Sequence, residues 1–375
     1  MLSLYLHIPF CRQRCLYCDF FLVTRSDYVE RFFKALAEET RAKAELLQGR
    51  KIKAIHFGGG TPSFVPLSFL SEWLAQISGI TSLCLDAEIT LEANPEDLDQ
   101  RAITALGAAG VNRLSIGVQS FIDSKLRSLG RAHSSDDAVH TVSMAMERFS
   151  SVSIDLICGA EGETAAEWEA DLKAALRLRP QHISVYMLTL EERTRLWRDV
   201  RKGSVRLPDE DEQASMYDRA RRMIGDAGYG HYEVSNYALP GYHSRYNLAS
   251  WMREPYLGFG PSAHSFMVSE DVETRFSNAC SLLRYLADPA GAMDFREVLT
   301  PAQRFDEEVF LSLRINRGLP VEFLRKGHKL GLERLDAVIR EFREKGWISI
   351  DDGIVTLTGR GFLFADLIAG ELLSD

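Results

Sequence analysis

The chain has 375 residues, 46% hydrophobic and 26% charged, with 44 Lys and Arg against 53 Asp and Glu. That length suits one large domain plus a smaller one, and the formal net charge of −9 argues against a general nucleic-acid surface. No apolar run is long enough to span a membrane, and Met1 leads into a strand candidate carrying His7 and Pro9 rather than into a signal peptide, so a cytoplasmic protein is expected.

The first strand candidate is Leu2–Ile8. Directly after it come Cys11, Cys15 and Cys18, spaced by three residues and then two. Such a loop can wrap three thiolates around one inorganic centre. Zinc would want a fourth Cys or His close by, and none follows at zinc-finger spacing. Three thiolates suit a [4Fe–4S] cube with one iron left open, whereas a cluster that only carries electrons is normally capped by a fourth thiolate. The plainer alternative is three buried structural thiols. Cys84, Cys158 and Cys280 are scattered in apolar surroundings and read as core residues.

Further strand candidates follow at Lys53–Phe57, Cys84–Glu92, Arg113–Val118, Ser151–Ile157 and Ile183–Leu188. Helix candidates lie between them near Tyr28–Leu47, Pro66–Ile77, Pro95–Ala109, Ser135–Phe149 and Ala165–Leu178. Six βα units at this spacing predict a parallel sheet with right-handed crossovers, two units short of a full barrel. An open (β/α)6 partial barrel is expected. Ligands in such folds sit at the carboxyl ends of the strands. The cysteine loop, Gly58-Gly59-Gly60-Thr61-Pro62, Glu92, Gln119 and Asp155 all fall there, with Arg131 shortly after the fourth strand. Three glycines let a backbone approach a ligand closely with free N–H groups. Glu92 can accept ribose hydroxyls, or simply charge the helix start at Pro95. Arg131 can pair with a carboxylate, or form a surface ion pair.

The Cys-x3-Cys-x2-Cys loop after a first strand resembles the radical S-adenosylmethionine (SAM) superfamily. The motifs YxHIPFC, HFGGGTP, EANP, GVQSF, GRAH and SIDLI occur in the order of the oxygen-independent coproporphyrinogen III oxidase group, and they cover nearly the whole chain. Within that group the sequence is most similar to the haem-chaperone branch, HemW. True oxidases carry a further cysteine just after the third ligand, where this chain has Asp19 and Phe20. The resemblance implies the partial-barrel fold, a [4Fe–4S] cluster on Cys11, Cys15 and Cys18, and a SAM site. It assigns the methionine amino group to the Gly59, Gly60 and Thr61 loop, the ribose to Glu92 and the methionine carboxylate to Arg131. Gln119 and Asp155 would face the adenosine. Tyr5 matches the tyrosine preceding the cluster loop, and Tyr17 lies between two ligands. In the family, the reduced cluster splits SAM into methionine and a 5′-deoxyadenosyl radical.

After the sixth strand the repeat breaks down. Pro208–Ala227 reads as a charged amphipathic helix, and residues 1–230 are expected to hold the barrel with its cluster and SAM sites. Residues 231–298 form a connecting segment rich in tyrosine and histidine. It can line a pocket for a large flat ligand such as haem or a porphyrin, or form a strand pair that closes the barrel mouth. The chaperone branch typically shows His-Asn-x-x-Tyr-Trp, whose histidine is the haem ligand. Aligning Asn247 and Trp251 places Tyr246 at the histidine and Ser250 at the tyrosine. A neutral imidazole ligates iron without losing a proton, whereas a phenol must ionise. His243 is therefore the expected ligand ahead of Tyr246, with weaker haem binding than in the branch.

Residues 299–375 read as a second unit. Thr300 opens a helix, two more end near Lys345, and a hairpin turns at Asp352-Gly353. That is a winged-helix shape. Its basic residues Arg325, Lys326 and Lys329 are interleaved with acids, so a lid or haem-facing role is expected rather than nucleic-acid binding. The leading expectation is a haem chaperone-like protein that binds cluster, SAM and haem and delivers haem to an acceptor protein, with an electron donor unknown. The alternative is the oxidase itself, converting coproporphyrinogen III to protoporphyrinogen IX, and a third is a paralogue without turnover. The chain begins at the cluster strand, so the oxidases' N-terminal extension is expected to be missing.

Overall fold

A computed structural model of the protein describes residues 1–327 and 331–373. Six parallel strands lie side by side in chain order: β1 (Leu2–Ile8), β2 (Lys51–Gly59), β3 (Ser82–Ala93), β4 (Arg113–Gln119), β5 (Ser151–Cys158) and β6 (His182–Met187). Strand alternation explains the two faces. Leu2, Leu4, Leu6 and Ile8 are fully buried and join Phe32, Leu36 and Trp73 in the main core under the helices. Ser3, Tyr5 and His7 point the other way, into the barrel interior. The same alternation puts His56, Glu92, Ser115 and Asp155 on that inner, polar side.

The helices carry their own start signals. Ser134 and Asp137 form a capping box for Ser135–Arg148, Thr164 and Glu167 do so for Ala165–Leu178, and Asp99 caps Gln100–Ala108. The long helix expected over 28–47 is instead Val29–Ala42 followed by Ala44–Leu47. At the break, the Lys43 ammonium is drawn onto Glu39 Oε1 at 2.6 Å and the Gly258 carbonyl at 2.8 Å. The expected 95–109 helix is likewise divided, because Asp99 starts a new helix after the Pro95–Asp97 turn.

Residues 231–298 extend the same sheet at both edges. β7 (Gly230–Glu233) and β8 (Asn236–Ala238) form an antiparallel pair, with β8 beside β6. At the other edge β9 (Tyr256–Phe259) adds a further parallel strand beside β1. It is followed by an antiparallel meander of β10 (His264–Ser269), β11 (Val272–Asn278) and β12 (Met293–Val298). The sheet order among the described residues is thus β12-β11-β10-β9-β1-β2-β3-β4-β5-β6-β8-β7. A mouth-closing strand pair is therefore not what this segment forms. Between β8 and β9 the short helix Arg245–Trp251, capped by Ser244, is held at its start by Glu88 of β3.

The C-terminal residues build a second core around Val309, Leu324, Leu335, Ile339, Phe342 and Val355. Helices Pro301–Ser312, Val321–Gly327 and Leu332–Glu344 pack with a sheet of β13 (Leu319–Pro320), β14 (Ile348–Asp351) and β15 (Ile354–Leu357), and helix Ala365–Leu372 follows. Asp352 and Gly353 take positive φ of 51° and 75°, as a tight hairpin turn requires. Tyr217 of the barrel's charged helix (Glu210–Asp226) inserts into this second core, and Arg253 and Arg275 pair with Glu307. Lys329 lies outside the described residues. Of the three scattered cysteines, Cys158 is fully buried and Cys84 half-buried. Cys280 is exposed, against expectation: it lies just past the end of β11, beside the buried Ala279, in a bend where its N–H donates to Asp294 Oδ2 at 2.7 Å.

Candidate active site at the carboxyl ends of the barrel strands

A cavity of about 580 Å³ opens at the carboxyl ends of β1 to β6. Cys11, Cys15 and Cys18 line it, with Tyr17 between the last two. Their loop is braced from several sides. The Cys11 N–H donates to Val23 O at 3.0 Å, and Cys11 Sγ shares a 3.2 Å hydrogen bond with Thr61 Oγ1. Arg14 donates to the carbonyls of Cys18, Phe20 and Leu22, tying the loop to its own exit. Burial pushes the Cys11 thiol up to about 11 and raises Cys18, with Thr61 and the Phe20 backbone respectively pulling back. Iron would have to displace those protons on binding. Among the described residues no His, Cys, Asp or Glu group converges tightly enough to hold a single ion. A cube takes one thiolate on each of three irons, and the three cysteines that line the cavity supply that number of donors.

The glycine loop passes directly against the cysteine loop. A Cβ on Gly60 would stand 2.8 Å from Phe10 O and Pro9 C, and one on Gly59, at φ 107°, 2.7 Å from the His7 ring. No side chain fits at either position. Gly60 N donates to Ile8 O and Thr61 N to Phe10 O, both at 2.8 Å, so β1 and β2 end in one stitched ledge.

Glu92 accepts from His56 Nε2 at 2.8 Å, leaving its side chain 39% exposed to the cavity. Arg131 follows the helix Asp123–Leu129, which the sequence reading missed, and Gly130 at φ 74° turns the chain so that the guanidinium enters the cavity. Its Nη2 donates to Asn94 Oδ1 at 2.6 Å and Gly117 O at 2.9 Å, and its Nη1 lies 3.4 Å from Cys15 Sγ. Its Nε is buried with no partner. Asn94 completes the link by donating to Thr61 Oγ1 at 3.2 Å.

Gln119 sits at φ 63° at the end of β4, a strained position for a side-chain-bearing residue. A buried group stabilises the turn that follows. Asp171 accepts from Ser120 Oγ at 2.8 Å and the Phe121 N–H at 2.6 Å, and pairs with Lys125, which also bonds Glu163. Glu163 in turn accepts from the Gly159 and Ala160 N–H groups after β5. Asp155 is hydrogen-bonded to Ser115 Oγ, and burial, helped by the field of Glu92, pushes its carboxyl up to about 6 against the pull of Ser184 and Ser115.

Of the residues singled out from sequence, the three cysteines, Tyr17, Gly59, Gly60, Thr61, Glu92, Gln119, Arg131 and Asp155 line this one cavity. Tyr5 does not. It faces a second cavity, where its hydroxyl donates to His7 Nδ1 at 3.2 Å. Tyr246 faces that second cavity too, stacked on His56 and Tyr5. His243 reaches neither. It lies at the amino ends of the strands, its ring 4.5 Å from Tyr232, whose hydroxyl bonds His182 at the start of β6. The three-residue offset from Tyr246 spans the cap of helix Arg245–Trp251, which turns His243 away. Sequence reasoning passed over Asn94, His56 and the Lys125–Glu163–Asp171 group. The first two sit inside motifs already quoted, but the third gives no local signal, since its members meet only in the fold.

A family model described as the radical SAM superfamily matches residues 5–175, and one described as the HemN C-terminal domain matches residues 299–364. The chain is 33% identical over 382 residues to the heme chaperone HemW of Bacillus subtilis, covering 100% of both chains. It is 33% identical over 377 residues to the heme chaperone HemW of Lactococcus lactis, covering 100% of this chain and 97% of that one. Its fold is similar to the solved coproporphyrinogen III oxidase HemN of Escherichia coli, with a TM-score of 0.84, 24% identity, and coverage of 99% and 89% of the two chains. The family implies a [4Fe–4S] cluster and SAM, and the cavity's donors suit both. With relatives matched end to end at this identity, the chain belongs to the radical SAM superfamily and, within it, to the HemW family of coproporphyrinogen III oxidase-like proteins.

Proposed function

We propose that the protein is a haem chaperone that holds a [4Fe–4S] cluster and SAM and binds haem for delivery to an acceptor protein. The observation that carries the reading is end-to-end similarity to proteins named heme chaperones. Two features of the chain support it. Asp19 and Phe20 stand where the decarboxylating oxidases would have a further cysteine, and a second cavity adjoins the first. Cys11, Cys15 and Cys18 would hold the cluster. When bound, the reduced cluster supplies an electron that can cleave SAM. The chain's own residues would do the positioning: Arg131 would pair with the methionine carboxylate, Glu92 would accept from the ribose, and the Gly59–Thr61 ledge would take the amino group. Gln119 and Asp155, which line the same cavity, would face the adenosine. Residues 1–230 form the catalytic-type barrel, 231–298 its haem-facing extension and 299–375 a winged-helix-like unit against it.

Haem titration of anaerobically reconstituted protein tests this. Saturable binding of about one haem per chain in the micromolar range or tighter is expected. No saturable binding would refute the chaperone reading. The family's other activity would show as conversion of coproporphyrinogen III.

A further inference from the structure

The second cavity, about 640 Å³, lies beside the first at the β1–β9–β10 edge, and Asp19 and Phe20 line both. Its volume falls in the ordinary range for a bound organic ligand. We propose, building on the haem-chaperone reading, that this cavity is the haem site and that His264, rather than Tyr246 or His243, supplies the axial ligand.

Elimination among the cavity's donors comes first. Tyr246 stands where the family's ligand histidine would be, but its ring is packed in a stack, 4.8 Å from His56 and 5.9 Å from Tyr5. Burial, then the fields of Tyr256 and Glu92, raise its phenol far above the ordinary range. His7 has both ring nitrogens engaged, Nε2 to Phe21 O at 2.8 Å and Nδ1 to the Tyr5 hydroxyl at 3.2 Å. His264 differs from both. It is the first residue of β10, exposed to the cavity, and among the described residues its ring nitrogens have no hydrogen-bond partner.

The backbone fixes where this imidazole stands. A Cβ on Gly258 would lie 2.2 Å from His264 O, and one on Gly260, at φ 87°, 2.4 Å from His7 O. The β9–β10 corner is thus pressed against β1, and Gly258 N donates to Ser265 Oγ at 2.9 Å. A ligand residue on such a corner has little freedom to wander.

The rest of the cavity suits a planar macrocycle with carboxylate arms. Phe20, 68% exposed, forms a lip, with Phe21 and Tyr256 on the walls. Arg193, with a side chain 83% exposed, lies on the rim and, among the described residues, is held only by Asp19 at 3.0 Å. Exposed pairs of this kind are weak, so a propionate can take over the guanidinium. Cys280 also opens onto the cavity and is the rival donor for the test.

The experiment is a titration of cluster-loaded protein with hemin, followed by the Soret band and low-temperature EPR. Wild type is expected to show histidine-ligated ferric haem. His264→Ala should bind at least about tenfold more weakly and lose that signature, and added free imidazole should restore it. His243→Ala, Tyr246→Phe and Cys280→Ser should keep the wild-type spectrum, and Arg193→Ala should weaken hemin but not hemin dimethyl ester. An unchanged spectrum and affinity in His264→Ala, or loss in Tyr246→Phe or Cys280→Ser instead, overturns the assignment and leaves the chaperone reading standing. Absence of haem binding in wild type overturns both.

Discussion

Arg131 is anchored to Asn94 by a 2.6 Å hydrogen bond from Nη2 while its Nε stays buried without a partner. Arg131 lines the cavity, with Nη1 3.4 Å from Cys15 Sγ. Buried donors are rarely left unpaired in folded proteins, and one that lines a cavity can be completed by a ligand there. Arg131→Ala should therefore weaken SAM binding by about 1.5–3 kcal/mol for each charge-assisted hydrogen bond lost. Arg131→Lys should recover only part of it, since an ammonium cannot keep Asn94 and Gly117 while reaching a carboxylate. Iron content should not change. Calorimetric titration with SAM reads the effect, and unchanged affinity in both variants would place the carboxylate elsewhere.

The cysteine loop makes a sharper demand. Reconstituted wild type should hold about four irons and four sulfides per chain. Cys11→Ala, Cys15→Ala and Cys18→Ala should each lose the cluster absorbance, whereas Cys84→Ala should retain it. Iron and sulfide analysis distinguishes these outcomes, and a full cluster in Cys15→Ala would sink the assignment.

Gly60 links the fold to the cluster. Its missing Cβ is what lets β2 end within van der Waals reach of the Ile8–Phe10 backbone. Gly60→Ala should cost about 1–3 kcal/mol by overpacking, because backbone rather than a flexible side chain must move. It should also lower cluster occupancy by shifting Cys11. Thermal unfolding and iron content check the two effects, and wild-type values for both would show the ledge to be slack.

Asp155 carries a pH dependence whose sign is fixed. Its folded pKa is raised from 3.8 to about 6, chiefly by burial. Between those values the folded chain holds a proton that the unfolded chain has lost. Stability is therefore greatest below pH 3.8 for this group and falls as pH rises through about 6, by at most about 3 kcal/mol. Asp155→Asn should remove that slope. Denaturant unfolding from pH 4 to 7 reads it, and parallel profiles for the two proteins would contradict the raised value.

Much of this arrangement was legible before the fold was known. The runs at Leu2–Ile8, Arg113–Val118 and Ser151–Ile157 became strands because their alternating side chains had a helical layer to bury against. The strand ends then located one cavity. What the sequence hid were relations between distant segments. β9 is four residues long and carries Gly258, so nothing local distinguishes it from a loop. It is a strand because β1 offers a parallel partner. Tyr5 could be placed on the inner face from period two, but not at the second cavity, since strand alternation fixes a side and not the depth along the barrel. The helix turn between His243 and Tyr246 separated two residues that spacing alone placed together.

The most direct test combines binding and turnover in one anaerobic sample. Protein with intact cluster is incubated with SAM, a strong reductant, hemin and coproporphyrinogen III, and the tetrapyrroles are separated afterwards. The haem-chaperone account predicts about one haem retained per chain and coproporphyrinogen recovered unchanged. Accumulation of protoporphyrinogen IX, with methionine released in step and no haem retained, would contradict it.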